Sequence, residues 1–164
     1  MDSAWRTFTN FGLDLGFNYT AFHTTVGDVV PVFVTSTRVE LSNPETGAHT
    51  VLTGTGLAAI LVNGQLSLSG TVTGMTFLTP TGDTTFTIAG VVWGAASLLA
   101  ATRALVDDNN FAPIDALLNL QPITFDASNS VQGLDINADA LTINQTIIGS
   151  RFGDDITGSL GNDR

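Results

Sequence analysis

The chain has 164 residues, 43% of them hydrophobic, so it is long and apolar enough to form one domain with its own core and is not intrinsically disordered. Fifteen acidic residues against five basic ones, all of them arginine, give a formal net charge of −10. This balance excludes the cationic surface that binding to nucleic acid or to an anionic membrane requires, and the absence of cysteine excludes disulfides and zinc–thiolate sites.

The first part of the chain is rich in threonine, valine and glycine, which favour strands joined by tight turns. One or two short strands are predicted within residues 8–25. The alternating segment 29–41 predicts a long strand, and Pro31 near its start indicates a strand beginning or an edge position. After a turn at 42–47, we expect residues 48–53 to return as its antiparallel partner.

The next strands are expected to form an antiparallel meander. Residues 56–62 and 65–78 are predicted strands separated by Asn63-Gly64, a dipeptide that favours a two-residue hairpin turn. A second turn at 79–83 precedes a further strand at 84–93.

The apolar period then changes to three and four residues, which predicts a helix over 95–108 with one buried face. The positions that carry this period are Leu98, Leu99, Thr102, Leu105 and Val106. A second helix is predicted over 113–120, because proline is tolerated in the first helical turn. The uncharged stretch 84–102 approaches the length of a membrane span, but two glycines interrupt it, so we interpret it as a buried strand followed by a buried helix and predict no transmembrane segment.

Beyond Pro122 the sequence returns to short strands at regular spacing, which is typical of the stacked coils of a β-solenoid. These strands are predicted at 123–125, 131–136, 141–143 and 147–148. The expected fold class is therefore mainly β with two helices: an antiparallel meander followed by short parallel β-solenoid coils. The expected organisation is a β-rich domain over 1–126, with coils over 127–164.

The end of the chain contains a candidate ligand-binding motif, a nine-residue unit that occurs once in full and once in part. Residues 149–157 read GSRFGDDIT and residues 158–164 read GSLGNDR, so that Asp154 aligns with Asp163. This pattern resembles the RTX (haemolysin-type) calcium-binding nonapeptide G-G-x-G-x-D-x-U-x, in which U is apolar. Serine replaces the second glycine in both units, and the mid-repeat glycine is present only in the second, at Gly161.

The resemblance implies a calcium site. Glycines let the backbone turn tightly so that carbonyl oxygens approach a cation, and aspartate adds a carboxylate for an ion that takes 6–8 oxygen ligands. Ile156 holds the apolar position, which is expected to point inward between coils. The residues expected at the metal are Gly149, Gly153, Asp154, Gly158, Gly161 and Asp163.

The number of units sets a limit on this site. In the RTX family the ion lies between two turns that are one full coil apart, and this sequence has one full unit and most of a second. The chain therefore does not complete such a site alone. It is either part of a longer RTX protein or stacks on another chain.

The resemblance also extends upstream and bears on location. The glycine- and threonine-rich segment 53–77, with the strand and helix that follow it, is similar to a domain that accompanies RTX repeats in secreted bacterial proteins. The family implies type I export through a C-terminal signal, which agrees with an N-terminus that lacks the features of a signal peptide. The expected location is extracellular, either secreted or on the cell surface.

The middle section of the sequence also resembles a secreted haem-carrier fold, in which a histidine and a tyrosine on facing loops bind iron. The residues available for this role are Tyr19, His23 and His49. Tyr19 and His23 are only four residues apart, so they are not expected to face each other across a pocket.

An enzyme is not expected, because the sequence has no G-x-S-x-G or H-E-x-x-H motif and no lysine for a P-loop.

The low charge content favours a structural role. Only 12% of the residues are charged and the mean hydropathy is +0.29, which is compatible with large interfaces between subunits and equally with a tightly packed monomer whose surface is rich in threonine. The expected function is that of a non-enzymatic, calcium-associated structural or adhesion protein that associates with other copies of itself, as in a filament or surface layer. The alternative is a haem-carrier-like module.

Overall fold

A computed structural model describes residues 29–44, 47–108, 110, 112–138 and 141–164. The strands predicted within 8–25, together with Tyr19 and His23, lie outside this range. Within the described residues, two helices and nine strands follow one another along the chain. They are β1 (Val30–Val34), β2 (Arg38–Ser42), β3 (His49–Val62), β4 (Gln65–Leu78), β5 (Thr84–Gly94), α1 (Ala95–Asp108), α2 (Ala112–Leu118), β6 (Thr124–Asp126), β7 (Asp135–Asn137), β8 (Thr146–Ile148) and β9 (Asp155–Thr157).

The protein is mainly β, as predicted. In the described part of the chain, seven strands form one open sheet in the order β1-β2-β3-β4-β5-β6-β8, and β7 and β9 form a second sheet. Strands β1 to β5 pair antiparallel with their neighbours in sequence, which confirms the meander. No helix among the described residues is long and apolar enough to cross a membrane.

The central hairpin of β3 and β4 confirms the turn predicted at Asn63-Gly64. Val62 pairs with Gln65, and the φ angles of 52° and 79° at the two turn residues place both in the left-handed region. A two-residue turn of this hand matches the twist of the flanking strands. The strands predicted at 48–53 and 56–62 are one continuous strand, β3, whose register shifts twice where glycines relax the ladder.

The single strand predicted over 29–41 is wrong, because the chain reverses at 35–37 to give β1 and β2. The Thr35 hydroxyl oxygen accepts the backbone N–H groups of Thr37 at 3.4 Å and Arg38 at 3.0 Å. Such local bonds compete with a continuous ladder and stabilise a turn instead. Strand β2 pairs with the start of β3, as predicted for 48–53, and β1 with its Pro31 lies at the sheet edge.

One hydrophobic cluster links the meander, the helices and the C-terminal segment. Helix α1 has the predicted bounds and buries Leu98 and Leu105 against the sheet, and α2 lies over 112–118, close to its prediction. Trp93 at the end of β5 is buried, and its indole N–H donates to the Leu117 carbonyl oxygen at 3.1 Å. The cluster continues to Leu141, so the C-terminal segment shares the core of the meander.

The C-terminal segment changes the direction of pairing. Strand β6 pairs antiparallel with β5 but parallel with β8, and β7 pairs parallel with β9. The predicted strands at 123–125, 131–136 and 147–148 correspond to β6, β7 and β8 with shifted bounds. The strand predicted at 141–143 is wrong: no strand covers these residues, and the Leu141 N–H donates to the Ala138 carbonyl oxygen at 2.9 Å. The Leu141 side chain is buried although it belongs to no strand.

Candidate metal site in the C-terminal turns

The parallel pairs bring successive passes of the chain into register. In β6 and β8, Phe125 lies beside Ile147, and in β7 and β9, Ile136 pairs with Ile156. The residue immediately before each strand therefore occupies an equivalent position in each pass. The motif aspartate Asp154 lies at this position.

A side-chain oxygen at this position binds the backbone of the preceding pass in three places. Asp154 Oδ1 accepts the Leu134 N–H at 2.9 Å, and Asp163 Oδ1 accepts the Gln145 N–H at 2.9 Å. Gln145 itself does the same, because its Oε1 accepts the Ile123 N–H at 2.9 Å. The three contacts span 20, 18 and 22 residues respectively. The same type of contact, from a backbone N–H to a side-chain oxygen of the next pass, therefore occurs three times.

A backbone bond accompanies each of these contacts. The N–H of the residue after each side-chain acceptor donates to the carbonyl oxygen of the same earlier residue. These bonds join Thr146 to Ile123 at 2.9 Å, Asp155 to Leu134 at 2.9 Å, and Arg164 to Gln145 at 3.0 Å. Each pass is therefore fixed to the preceding one at a single residue, whose backbone N–H and C=O both form a hydrogen bond.

The two serines that depart from the RTX pattern have a clear structural role. The Ser150 N–H and hydroxyl donate to the two Asp154 carboxylate oxygens at 2.7 and 2.8 Å. Ser159 makes the same two bonds to Asp163. Each unit thus closes a tight loop in which the aspartate at position six accepts from the serine at position two.

The glycines of the motif fall into two groups. A Cβ at Gly149 would lie 2.6 Å from Asp154 Oδ2, and one at Gly158 would overlap the Asp163 carboxylate, so a larger residue at either position would displace the carboxylate of its own unit. Gly161 packs against the backbone at Asn144, whereas Gly153 faces open space. The structure therefore brings each aspartate to the glycine of its own unit.

The two units do not converge on one cluster. Asp154 contacts the turn before β7 and Asp163 contacts the turn before β8, so they lie on different turns. Among the described residues, no three His, Asp or Glu side chains lie close enough together to hold a metal ion. Each unit contributes one carboxylate, whereas calcium takes 6–8 oxygen ligands.

Sequence reasoning missed Gln145. The residue lies nine positions before Asp154, and Ile147 lies nine before Ile156, so the nine-residue spacing already begins one unit earlier. Alignment on the apolar position would have found it. Gln145 is 2% exposed, and its Nε2 has no hydrogen-bond partner among the described residues. An uncharged amide suits this buried position, where a carboxylate would be costly.

Hydrogen bonding lowers the pKa of both motif aspartates. Burial of each carboxyl raises its pKa, but the bonds from the serine N–H, the serine hydroxyl and the preceding pass together outweigh it, because they favour the ionised form. A folded-state pKa below the unfolded value means that these groups stabilise the fold above about pH 4. This contribution is lost as the pH falls through the folded-state pKa.

We predict that replacing both aspartates by asparagine flattens the acid limb of the stability profile. In calcium-free buffer, the free energy of unfolding of the wild type should fall more steeply below pH 4 than that of Asp154→Asn/Asp163→Asn. Urea unfolding at several pH values from 6 to 2.5 measures both profiles. Asp155→Asn is the control, because it removes a neighbouring charge without removing these bonds. Parallel acid limbs in wild type and double variant would contradict the prediction.

The histidine of the haem-carrier alternative is engaged elsewhere. His49 Nδ1 lies 2.8 Å from Glu40 Oε1, and the other oxygen of Glu40 accepts from Arg38 Nη2 at 2.8 Å. This ion-pair network lies across β2 and β3, whose first pair is Ser42 with His49. Of the three proposed haem residues, His49 alone is among the described ones.

No protein-family model, curated protein or solved structure matches the chain.

Proposed function

We propose that this chain is a non-enzymatic structural or adhesion protein of the bacterial cell exterior, which associates with further copies through RTX-type coils at its C-terminus. The observation that carries the proposal is the repeated contact between passes at Gln145, Asp154 and Asp163. A contact that recurs between equivalent positions of successive passes is the basis of a stacked repeat.

The finer architecture is part of this proposal. We take the passes β6–β7 and β8–β9 to be the first two coils of a β-solenoid, fused to the last strand of the meander. Parallel pairing on both sheets supports this interpretation, since each strand lies beside its equivalent one pass later. The buried Ala127 and Ala138 support it too, because both N–H groups donate at 2.8 Å to the following pass.

The C-terminal segment ends in a surface that no described residue covers, and this surface suits further stacking. Strand β8 lies at the edge of the seven-stranded sheet, and β9 is an outer strand of its two-stranded sheet. The large apolar side chains exposed here are Ile148, Phe152, Ile156 and Leu160. Leu160 is 77% exposed, and Ile156, expected to point inward, is 43% exposed. A further coil would bury these groups, whether it comes from another copy or from a longer chain.

Calcium fits this proposal as a link between the end of the C-terminal segment and the coil that would cover it. Asp154 and Asp163, with the backbone carbonyls near Gly149, Gly153, Gly158 and Gly161, would supply one half of each site. The covering coil would supply the other half. When bound, the ion neutralises carboxylates that would otherwise repel each other across the interface in a chain of charge −10. Export by a type I system accords with this role.

Light scattering on a sizing column tests the proposal. The chain alone has a mass of 17.1 kDa. In millimolar calcium we expect a larger species, and in chelator a return to the monomer. Asp154→Asn/Asp163→Asn should remain monomeric in both buffers, while the matched control Asp155→Asn should assemble as the wild type does. A monomer of wild-type chain in both buffers would overturn assembly through these turns.

The haem-carrier alternative has its own test. Haem bound by a histidine and a tyrosine shifts and sharpens the Soret band, and addition of haem to the protein measures this directly. No shift on addition of one equivalent would exclude the alternative. A shift that is abolished by His49→Ala or by Tyr19→Phe would support it in place of the structural role.

A further inference from the structure

The far half of the β3–β4 hairpin projects beyond its neighbouring strands. Strand β2 pairs with β3 only as far as Thr53, and β5 pairs with β4 only from Thr71 onward. Residues 58–69 of the hairpin therefore pair only with each other among the described strands. Helix α1 packs against one face of this projection, where Leu66 and Leu68 are buried. The projection and the helix form two walls of a groove.

The groove has the volume of a small-molecule site. Its volume is about 400 Å³, within the range of about 300–1,000 Å³ for ligand pockets. The floor is apolar, and polar side chains lie among the lining residues of the hairpin. The apolar lining includes Val62, Leu66, Leu68 and Leu99, and the polar lining includes Arg103. Val62 is half exposed, so apolar surface continues from the floor to the rim.

Arg103 is the cation of this groove, and the hairpin holds it in place. Its Nη2 donates to the Leu66 carbonyl oxygen across the groove at 2.5 Å. No acidic side chain forms an ion pair with it among the described residues, in contrast to Arg38, which pairs with Glu40. The bond to Leu66 uses one of five N–H donors, and the remaining ones include a second nitrogen of the planar fork. A fixed guanidinium above an apolar floor is complementary to an anion with an apolar tail.

We propose that this groove binds a monocarboxylate with a straight aliphatic tail of medium length. The carboxylate would bind the free donors of Arg103, and the tail would lie along Leu66, Leu68 and Leu99. A single guanidinium matches a single negative charge, and its planar fork matches the two oxygens of a carboxylate. A multiply charged phosphate would be repelled by a chain of net charge −10 without a second cation to compensate. The site is separate from the C-terminal turns, so this proposal does not depend on the proposed assembly.

Calorimetric titration with decanoate, below its micelle concentration and in chelator, tests the site. We expect saturable binding with one site per chain. Decanol shares the tail and acetate shares the carboxylate, and both should bind at least about tenfold more weakly, because each loses one of the two interactions. Saturable binding of decanol as tight as that of decanoate would overturn the role of Arg103 as the anion partner.

Arg103→Gln is expected to weaken decanoate binding by about tenfold or more, since it removes the charge-assisted bonds. Arg151→Gln removes an arginine that lies over the Phe152 ring, away from the groove, and should bind decanoate as the wild type does. Val62→Asp provides a second test that leaves the core intact, because it places a like charge beside the tail on a half-exposed residue. Wild-type affinity in either Arg103→Gln or Val62→Asp, or no binding by the wild type at millimolar decanoate, would overturn the proposal.

Discussion

Phe125→Ala is expected to lower the free energy of unfolding by about 3–5 kcal/mol, the cost of removing a fully buried aromatic side chain. The Phe125 ring has no solvent exposure and stacks on Phe86 with ring centroids 5.8 Å apart. It lies in β6, which pairs with β5 of the meander on one side and with β8 on the other. The cavity would therefore open where the meander joins the C-terminal segment.

Urea unfolding followed by far-ultraviolet circular dichroism measures this loss. Phe152→Ala is the matched control, because the same side chain is removed from an exposed turn, where we expect a change of about 0.5 kcal/mol or less. If both variants lost the same stability, β6 would not be the structural junction that the packing indicates.

Gly133→Ala is expected to destabilise the stacking of the two passes by about 3 kcal/mol, at the upper end for overpacking. A Cβ at Gly133 would overlap the Gly153 carbonyl oxygen in the next pass. Neither atom belongs to a flexible side chain, so the two backbones would have to separate. The bonds of Leu134 with Asp154 and Asp155 lie directly beside this contact and should break with it.

Amide hydrogen exchange followed by NMR reports this effect locally. The N–H groups of Leu134 and Asp155 should be protected in the wild type and should exchange much faster in Gly133→Ala. Gly153→Ala reverses the geometry at the same contact, because a Cβ there faces open space, and it should preserve both the protection and the stability. Equal effects of the two substitutions would show that the close approach of the passes is unimportant.

Local signals predicted the meander and the helices well. Asparagine and glycine adopt the left-handed backbone conformation that the two-residue turn at Asn63-Gly64 requires, so the turn is visible in the sequence. The three-to-four-residue apolar period of α1 is also a local pattern, which identifies a helix without knowledge of what it packs against. The segments 29–41 and 141–143 were mispredicted because both are apolar enough for strands. In the first, the hydroxyl of Thr35 closes a turn, and in the second, burial of Leu141 occurs without a ladder.

The candidate site was predictable in its residues but not in its contacts. The aspartates and glycines follow from the nine-residue spacing, whereas the backbone N–H groups that they bind lie 18 or 20 residues earlier in the chain. That distance depends on the lengths of the turns, which no local pattern specifies. Gln145 makes the same type of contact as the two aspartates. The sequence does not show this equivalence, because the residue type at this position changes from glutamine to aspartate.

The spacing between equivalent positions shortens along the chain, from 22 residues to 20 and then to 18. The last spacing, 18 residues, equals two nine-residue units. It is therefore the first spacing in this chain that a regular nine-residue repeat would reproduce. The opposite edge of the main sheet is β1, which is antiparallel to its neighbour and carries a proline without an N–H to donate. The two edges of the sheet that the described strands form are therefore not equivalent, so a second copy that paired at the β8 edge would not find the same surface at β1.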